Sequence, residues 1–237
     1  MIKKTILLIM ALSLYVNAEE IYATFNVEAM KSANLAFTSS GTINSVTVEM
    51  SSKVKKGDIL ATLENSEIKA SLAISTIALA FSKKEYERQL KVKKLVDASQ
   101  LDSYAFKYQN AKAQLIYKQS LFDKTILRAP FDSVVYEKLV ELGDVVSGAM
   151  IRTILKVQSP HERKLVLEID QKYWKILKIG QVFRYNLTGD KKEYTSKITK
   201  IYPSSNIKNR KIKAEVLARD IPVGLFGEGT INIVEVR

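Results

Sequence analysis

Chemistry that needs a thiol has nothing to work with here: the chain holds no cysteine and a single histidine, His161. Thiol nucleophiles, disulfides, iron–sulfur clusters and Cys/His zinc sites are therefore excluded together. A Ser-His-Asp triad would have to use His161. That residue lies beside Pro160 in a charged segment, and no nucleophile-elbow sequence accompanies it. Neither a catalytic residue nor a metal site is expected, and the chain reads as non-enzymatic. The formal net charge is +12. Clustered, such charge would suggest nucleic acid; spread, it suggests a solvated surface or contact with anionic lipid head groups. The lysines are scattered through every segment, so nucleic acid is not an expected partner.

With 46% hydrophobic and 26% charged residues, the 237-residue chain can bury a core and is not compositionally disordered. The organising stretch is Asn65 to Thr125. Leu101, Tyr104, Tyr108, Ala111, Leu115, Lys118 and Phe122 step by three and four, as do Ile68, Leu72, Ser75, Leu79, Ser82 and Tyr86. These are the facing seams of two antiparallel helices. No proline or glycine occurs from Asn65 to Arg128, so both arms run unbroken. An arm of about 30 residues would be roughly 45 Å long. Between the arms, Ser99 and Asp102 have capping-box spacing, with Asp in place of the usual Glu.

The hairpin interrupts two copies of a small β motif. Val46, Val48 and Val54 have the period-2 placing of half-buried strands, and Lys55-Lys56-Gly57-Asp58 is a polar turn. After the hairpin, Pro130 marks re-entry into the sheet. Aligning the copies pairs Gly41 with Ser133, Ile43 with Val135, Val54 with Val145, Gly57 with Gly148, Leu60 with Ile151 and Leu63 with Ile154, with a one-residue slip between groups. Beyond Ser159, short alternating runs separated by one short helix from Asp170 to Ile179 suggest a small β barrel. Ile21, Ala23, Phe25 and Val27 alternate as an early strand that returns to pair with a later one. Residues 1–18 have the form of a leader. Lys3 and Lys4 precede an apolar run from Ile6 to Val16, too short to span a bilayer, and Val16-Asn17-Ala18 offers a cleavage site. The alternative is an uncleaved anchor; a lipid anchor would need the missing cysteine.

This order of parts resembles the periplasmic adaptor subunits, or membrane fusion proteins, of tripartite efflux pumps of the resistance-nodulation-division (RND) type. The resemblance rests on Gly41 to Leu63 with its Val54-Lys55-Lys56-Gly57-Asp58, and on the re-entry from Ala129 to Val135, with Ser133 in place of the family's glycine. It rests also on Gly180-Gln181-Val182, Lys197 to Pro203 and Asn209-Arg210. It implies an elongated, multidomain α+β chain: a split lipoyl-like β sandwich interrupted by an α-helical coiled-coil hairpin and followed by a small β barrel. The expected divisions are a leader at 1–18, an N-terminal strand region at 19–34 pairing with the barrel, and a lipoyl-like domain at 35–64 and 126–157. The hairpin would take 65–125 and the barrel 158–237.

The resemblance further implies no cofactor, because the hairpin replaces the turn that would present a lipoylated or biotinylated lysine. Implied partners are an inner-membrane transporter, RND type first, a TolC-like outer-membrane channel, and further copies of the chain in a ring, a hexamer by family expectation. Implied cargo is drugs or other toxic small molecules, and the implied place is the periplasm, after leader cleavage. At the hairpin tip, Arg88, Val92 and Ser99 match the family's channel-contacting signature, with Val92 in place of leucine. Their spacing would put them on one helical stripe. The bland alternative is a solvated Arg88 and a capping Ser99. Met30, Met50 and Met150 are isolated, so the methionine clusters of a copper-export adaptor are missing. The chain ends just after the barrel, where many RND adaptors add a membrane-proximal domain, so adaptors of ABC-type or type I secretion systems remain open. A biotinyl or lipoyl carrier domain is the alternative of another class.

Overall fold

The computed structural model describes residues 19–92, 94 and 97–233. The leader reading of residues 1–18 lies outside them. The described chain forms two compact units, one of Ser32–Ser159 and one of residues 19–31 with 160–233.

The first unit holds β2 (Ser32–Leu35), β3 (Gly41–Val46), β4 (Lys53–Val54), β5 (Ile59–Leu63), β6 (Ile126–Arg128), β7 (Ser133–Lys138), β8 (Val145–Val146) and β9 (Leu155–Gln158). They make two four-stranded sheets, ordered β2-β9-β7-β4 and β6-β5-β3-β8. The sheets are images of each other with the two halves of the motif exchanged. Gly41 faces Val146 in one sheet and Ser133 faces Val54 in the other. Leu35 faces Leu155 as Leu127 faces Ala61. Each sheet therefore takes two strands from each half, so neither half can bury its apolar face alone. Ile43, Leu60, Leu63, Val135, Ile154, Leu155 and Val157 are fully buried between them, each contributing about 1.5–3 kcal/mol by leaving water.

The exchange corrects the alignment read from the sequence. The Glu49 N–H donates to Ser52 Oγ (2.9 Å) and the Glu141 N–H to Asp144 Oδ2 (2.9 Å). Ser51 and Gly143 both have positive φ, 70° and 88°. The turn Ser51-Ser52 thus answers Gly143-Asp144, and Val54 answers Val146 rather than Val145. The Thr47 N–H reaches the Leu60 carbonyl (2.9 Å) as the Leu139 N–H reaches that of Ile154 (2.8 Å). Leu60 therefore matches Ile154, not Ile151, which is exposed. Gly57 and Gly148 are not equivalents either. Gly57 turns the chain at φ 93°. At Gly148 a Cβ would lie 2.6 Å from the Thr38 carbonyl oxygen, so the glycine there serves a close approach. The apolar spacing misled because the second half is longer before its last strand.

The second unit is a closed antiparallel barrel, β1-β10-β13-β12-β11-β14. It comprises β1 (Glu19–Ala29), β10 (Glu162–Asp170), β11 (Val182–Leu187), β12 (Glu193–Asn206), β13 (Lys211–Arg219) and β14 (Phe226–Ile233). Closure leaves no free edge. Ile21, Ala23, Phe25 and Val27 point inward and alternate with outward residues. Phe25 meets Phe183 and Tyr185 edge-on, with ring centroids 5.8 and 5.3 Å apart. The strand expected at 19–34 ends at Ala29, and β2 belongs to the other unit. The helix expected from Asp170 to Ile179 shrinks to a 3-10 turn at Gln171–Tyr173. β12 continues through Pro203, whose missing N–H is absorbed by a register shift between Ile201 and Ser205.

Candidate functional site

Two 26-residue helices leave the first unit between β5 and β6: α1 (Ser66–Lys91) and α2 (Ala98–Asp123). Each arm is about 39 Å long at the usual rise. The neck is tied by one residue from each side. The Asn65 amide donates to Thr125 Oγ1 (2.9 Å), which donates to the Phe122 carbonyl (2.7 Å). The Leu63 N–H donates to the Thr125 carbonyl (2.9 Å), and Thr125 is 1% exposed. With its side chain committed to Thr125, Asn65 caps α1 through its backbone alone, its carbonyl accepting from Lys69 (2.8 Å). Hydrogen bonding from Ser66 holds the Glu64 carboxyl below its usual range at the same helix start.

The seam is the one read from the sequence: every residue named for it is buried or half-buried. Tyr86 stacks on Tyr108 at 5.8 Å, which sets the antiparallel register. Yet only Ser75 and Ala111 are buried among the residues of the two helices. Serines and alanines make a close but thin interface, with little apolar area to hold it.

Arg88, Val92 and Ser99 all fall at the far end of the hairpin, but not on one helical stripe. Arg88 is in the last turn of α1, Val92 is the C-cap with φ −108° and ψ 20°, and Ser99 is the second residue of α2. The chain reversal, not helical periodicity, gathers them. Nor does Ser99 cap α2. Asp97, a strong N-cap type two residues earlier, takes that place in extended conformation, and its carbonyl accepts from Leu101 (3.1 Å). All three residues are exposed. Neither the Arg88 guanidinium nor the Ser99 hydroxyl has a partner among the described residues. The tip thus presents a cation, an apolar cap and a hydroxyl to solvent.

A second feature of the hairpin escaped the sequence reading. Opposite its seam, α1 carries Ala70, Ile74, Ile77 and Phe81 at the same three-and-four steps, with Ile74, Ile77 and Phe81 68%, 57% and 63% exposed. The face continues as Lys84 and Arg88 toward the tip. Opposite its own seam, α2 shows Phe106, Ala113 and Tyr117, beside the exposed Ile116. The signal was present as a second apolar period offset by two residues from the first. In the Tyr86–Tyr108 register, Ile77 lies level with Tyr117 and Phe81 level with Ala113.

Other groups with chemical potential lie in the barrel unit, His161 and Arg163 each hydrogen-bonded to a neighbour. His161 Nδ1 lies 2.7 Å from Asp220 Oδ1 on the surface, with both side chains mostly exposed. The buried Arg163 guanidinium donates to the carbonyls of Ile221 (2.7 Å), Pro160 (2.9 Å) and Glu162 (3.0 Å). It borders a cavity of about 480 Å³ with Tyr185, whose phenol is pushed up by burial and by Tyr194. No helix among the described residues is long and apolar enough to cross a membrane.

Residues 31–155 match the family described as CzcB-like, barrel-sandwich hybrid domain. The fold resembles a MacA-MexA chimeric protein containing the Pseudomonas aeruginosa MexA alpha-hairpin domain. The TM-score is 0.82 at 22% identity, covering 91% of this chain and 79% of that one. It also resembles the membrane fusion protein Spr0693 from Streptococcus pneumoniae R6, with a TM-score of 0.72 at 17% identity over 89% of this chain and 98% of that one. A curated Haemophilus influenzae protein, described as uncharacterized, is 24% identical over 185 residues, or 76% of this chain. The chain spans about half the length of that relative, 47%. The chain belongs to the CzcB-like barrel-sandwich hybrid family and has the split-sandwich, hairpin and barrel fold of membrane fusion proteins.

Proposed function

We propose that the chain is a periplasmic adaptor. In this reading it links an inner-membrane efflux transporter of the RND class to a TolC-like outer-membrane channel, for export of drugs or other toxic small molecules. It performs no chemistry. The transporter supplies energy and substrate choice; the adaptor supplies a sealed path. Residues 1–18 act as a cleaved leader.

The observation that carries the reading is the hairpin's double apolar face. One face of each helix is used within the hairpin. The opposite faces, Ile74-Ile77-Phe81 on α1 and Phe106-Ala113-Tyr117 on α2, are left to water. Exposed apolar residues in a row on α1, and on α2 in a row interrupted by Asn110, mark an interaction site on a rod. The two faces differ and lie on opposite sides, so copies pack α1 against α2 of the next. That heterologous contact closes into a ring when the rotation permits; six copies is the expected number. Arg88, Val92 and Ser99 then repeat around the rim and meet the channel as a ring of cations and hydroxyls about small apolar knobs.

Deleting the gene should raise accumulation of fluorescent efflux substrates severalfold, and restoring it should reverse the effect. Unchanged accumulation across several dyes and bile-salt-like compounds would overturn the drug-efflux reading.

A further inference from the structure

At one end of the barrel, two connections lie side by side: the turn of residues 171–181 between β10 and β11, and the β12–β13 hairpin of residues 207–210. The Gln171 N–H donates to the Arg210 carbonyl (3.1 Å) and joins them. Three large apolar side chains project from these connections. Trp174 and Ile179 are each 65% exposed, and Ile207 is 92% exposed. Around them stand Lys172, Lys175, Lys178, Lys208, Arg210 and Lys211, with no acidic residue in either connection. The neighbouring Asp170 is occupied, accepting from the Lys172 N–H (2.9 Å). Lys175 Nζ sits 5.5 Å over the Trp174 ring, so the cation and the aromatic are presented together.

The other end of the same barrel gives the contrast. There the β11–β12 connection mixes Asp190 and Glu193 with Lys191 and Lys192, and His161 is paired with Asp220. At the first end the charged residues of both connections are all cations, set among apolar tips, although β1 starts there with Glu19 and Glu20 and β10 ends there with Asp170; at the other end the connection itself mixes both signs. A tryptophan with aliphatic neighbours and a surrounding of lysines is the composition of a surface that rests in the head-group layer of an anionic bilayer. Each lysine near such a surface adds attraction that fades within a Debye length.

We infer that this end of the barrel docks directly on an anionic lipid surface, with Trp174 and Ile207 entering the head-group boundary and the lysines and Arg210 meeting lipid phosphates. The occupant is the bilayer itself, not an acidic protein. The inference rests on the envelope reading only for the presence of a membrane, and its test runs without transporter or channel.

Trp174 is the only tryptophan in the chain, so its emission reports this end alone. Full-length protein is titrated with vesicles of phosphatidylcholine, with and without about a third phosphatidylglycerol. A second set carries brominated acyl chains as depth-dependent quenchers. The expected result is a blue shift and quenching with anionic vesicles only, weakened by salt. Lys172→Glu with Lys175→Glu and Lys208→Glu should weaken partitioning on the order of tenfold or more. Ile207→Ser should reduce quenching while far-ultraviolet circular dichroism stays unchanged. The inference is overturned if emission is unmoved by anionic vesicles, including when the protein sediments with them through another part of the chain. It is also overturned if zwitterionic vesicles act equally, or if soluble polyglutamate gives the shift and lipid does not. Efflux loss on gene deletion with no vesicle response would leave the adaptor reading standing and remove this one.

Discussion

The barrel and the hairpin solve the burial problem in opposite ways. The barrel closes on itself, and eighteen residues form one buried cluster inside it. The hairpin's two 26-residue helices bury only Ser75 and Ala111, while Ile74, Ile77, Phe81, Phe106 and Tyr117 stay in water. The barrel is complete as one chain. The hairpin leaves its second faces exposed, which the proposed assembly would cover. In the proposed function this difference separates scaffold from working part.

Mutations can test that separation. The largest loss belongs in the barrel: Phe25→Ala removes a 1%-exposed ring packed against Phe183 and Tyr185 and should cost about 3–5 kcal/mol in denaturant unfolding. A cost below about 1 kcal/mol would mean that the barrel interior is not a well-packed core. At the neck, Thr125→Val strips the Asn65 amide of its acceptor, and a loss of about 1–3 kcal/mol is expected in thermal unfolding. In the sandwich the sign should reverse. Ser133 Oγ is buried with no hydrogen-bond partner among the described residues. Ser133→Ala should stabilise by about 1 kcal/mol, read as a raised melting temperature.

On the hairpin, Ile74→Asp with Ile77→Asp should leave monomer stability within about 0.5 kcal/mol, as for ordinary surface positions, yet abolish self-association in analytical ultracentrifugation. Unfolding of the monomer by this pair would mean that the outer face is core and not interface.

A pH titration gives the smallest effect. The Tyr202 hydroxyl donates to Glu215 Oε1 (2.7 Å), and that hydrogen bond, with desolvation, pushes its pKa up from 10.0 to about 12. Folding favours the neutral phenol. Its contribution is therefore full below about pH 10 and is lost as pH rises through about 12. Tyr202→Phe should delete one late-titrating phenol from the absorbance curve, and the alkaline stability difference from the parent protein should narrow over that window.

The sequence showed the hairpin seams residue by residue, because three-and-four spacing is a local property of one helix. It also showed β1, whose alternation is strict. It failed where structure depends on distant pairing. The halves of the sandwich trade strands, so their true equivalence, Leu60 with Ile154, lies in hydrogen-bond register and not in apolar spacing. The stretch from Asp170 to Ile179 reads as a short helix stopped by Gly180, but only Gln171–Tyr173 forms a 3-10 turn, as the chain bends back toward β11. At the tip, residue types were legible and geometry was not. A stripe through Arg88, Val92 and Ser99 assumed an unbroken helix where Asp97 starts a new one. The outward apolar faces were visible as spacing but were masked by the stronger seam beside them.

In the proposed assembly the hairpin tip docks on an outer-membrane channel. The chain has no cysteine, so Ser99→Cys places a single crosslinker at the tip, and Ser120→Cys places the same probe near the neck as a control. A covalent adduct with an outer-membrane channel protein is expected from position 99, absent from position 120 and diminished by Arg88→Glu. An adduct from both positions alike, or none from 99 in cells where the protein restores efflux, would contradict it.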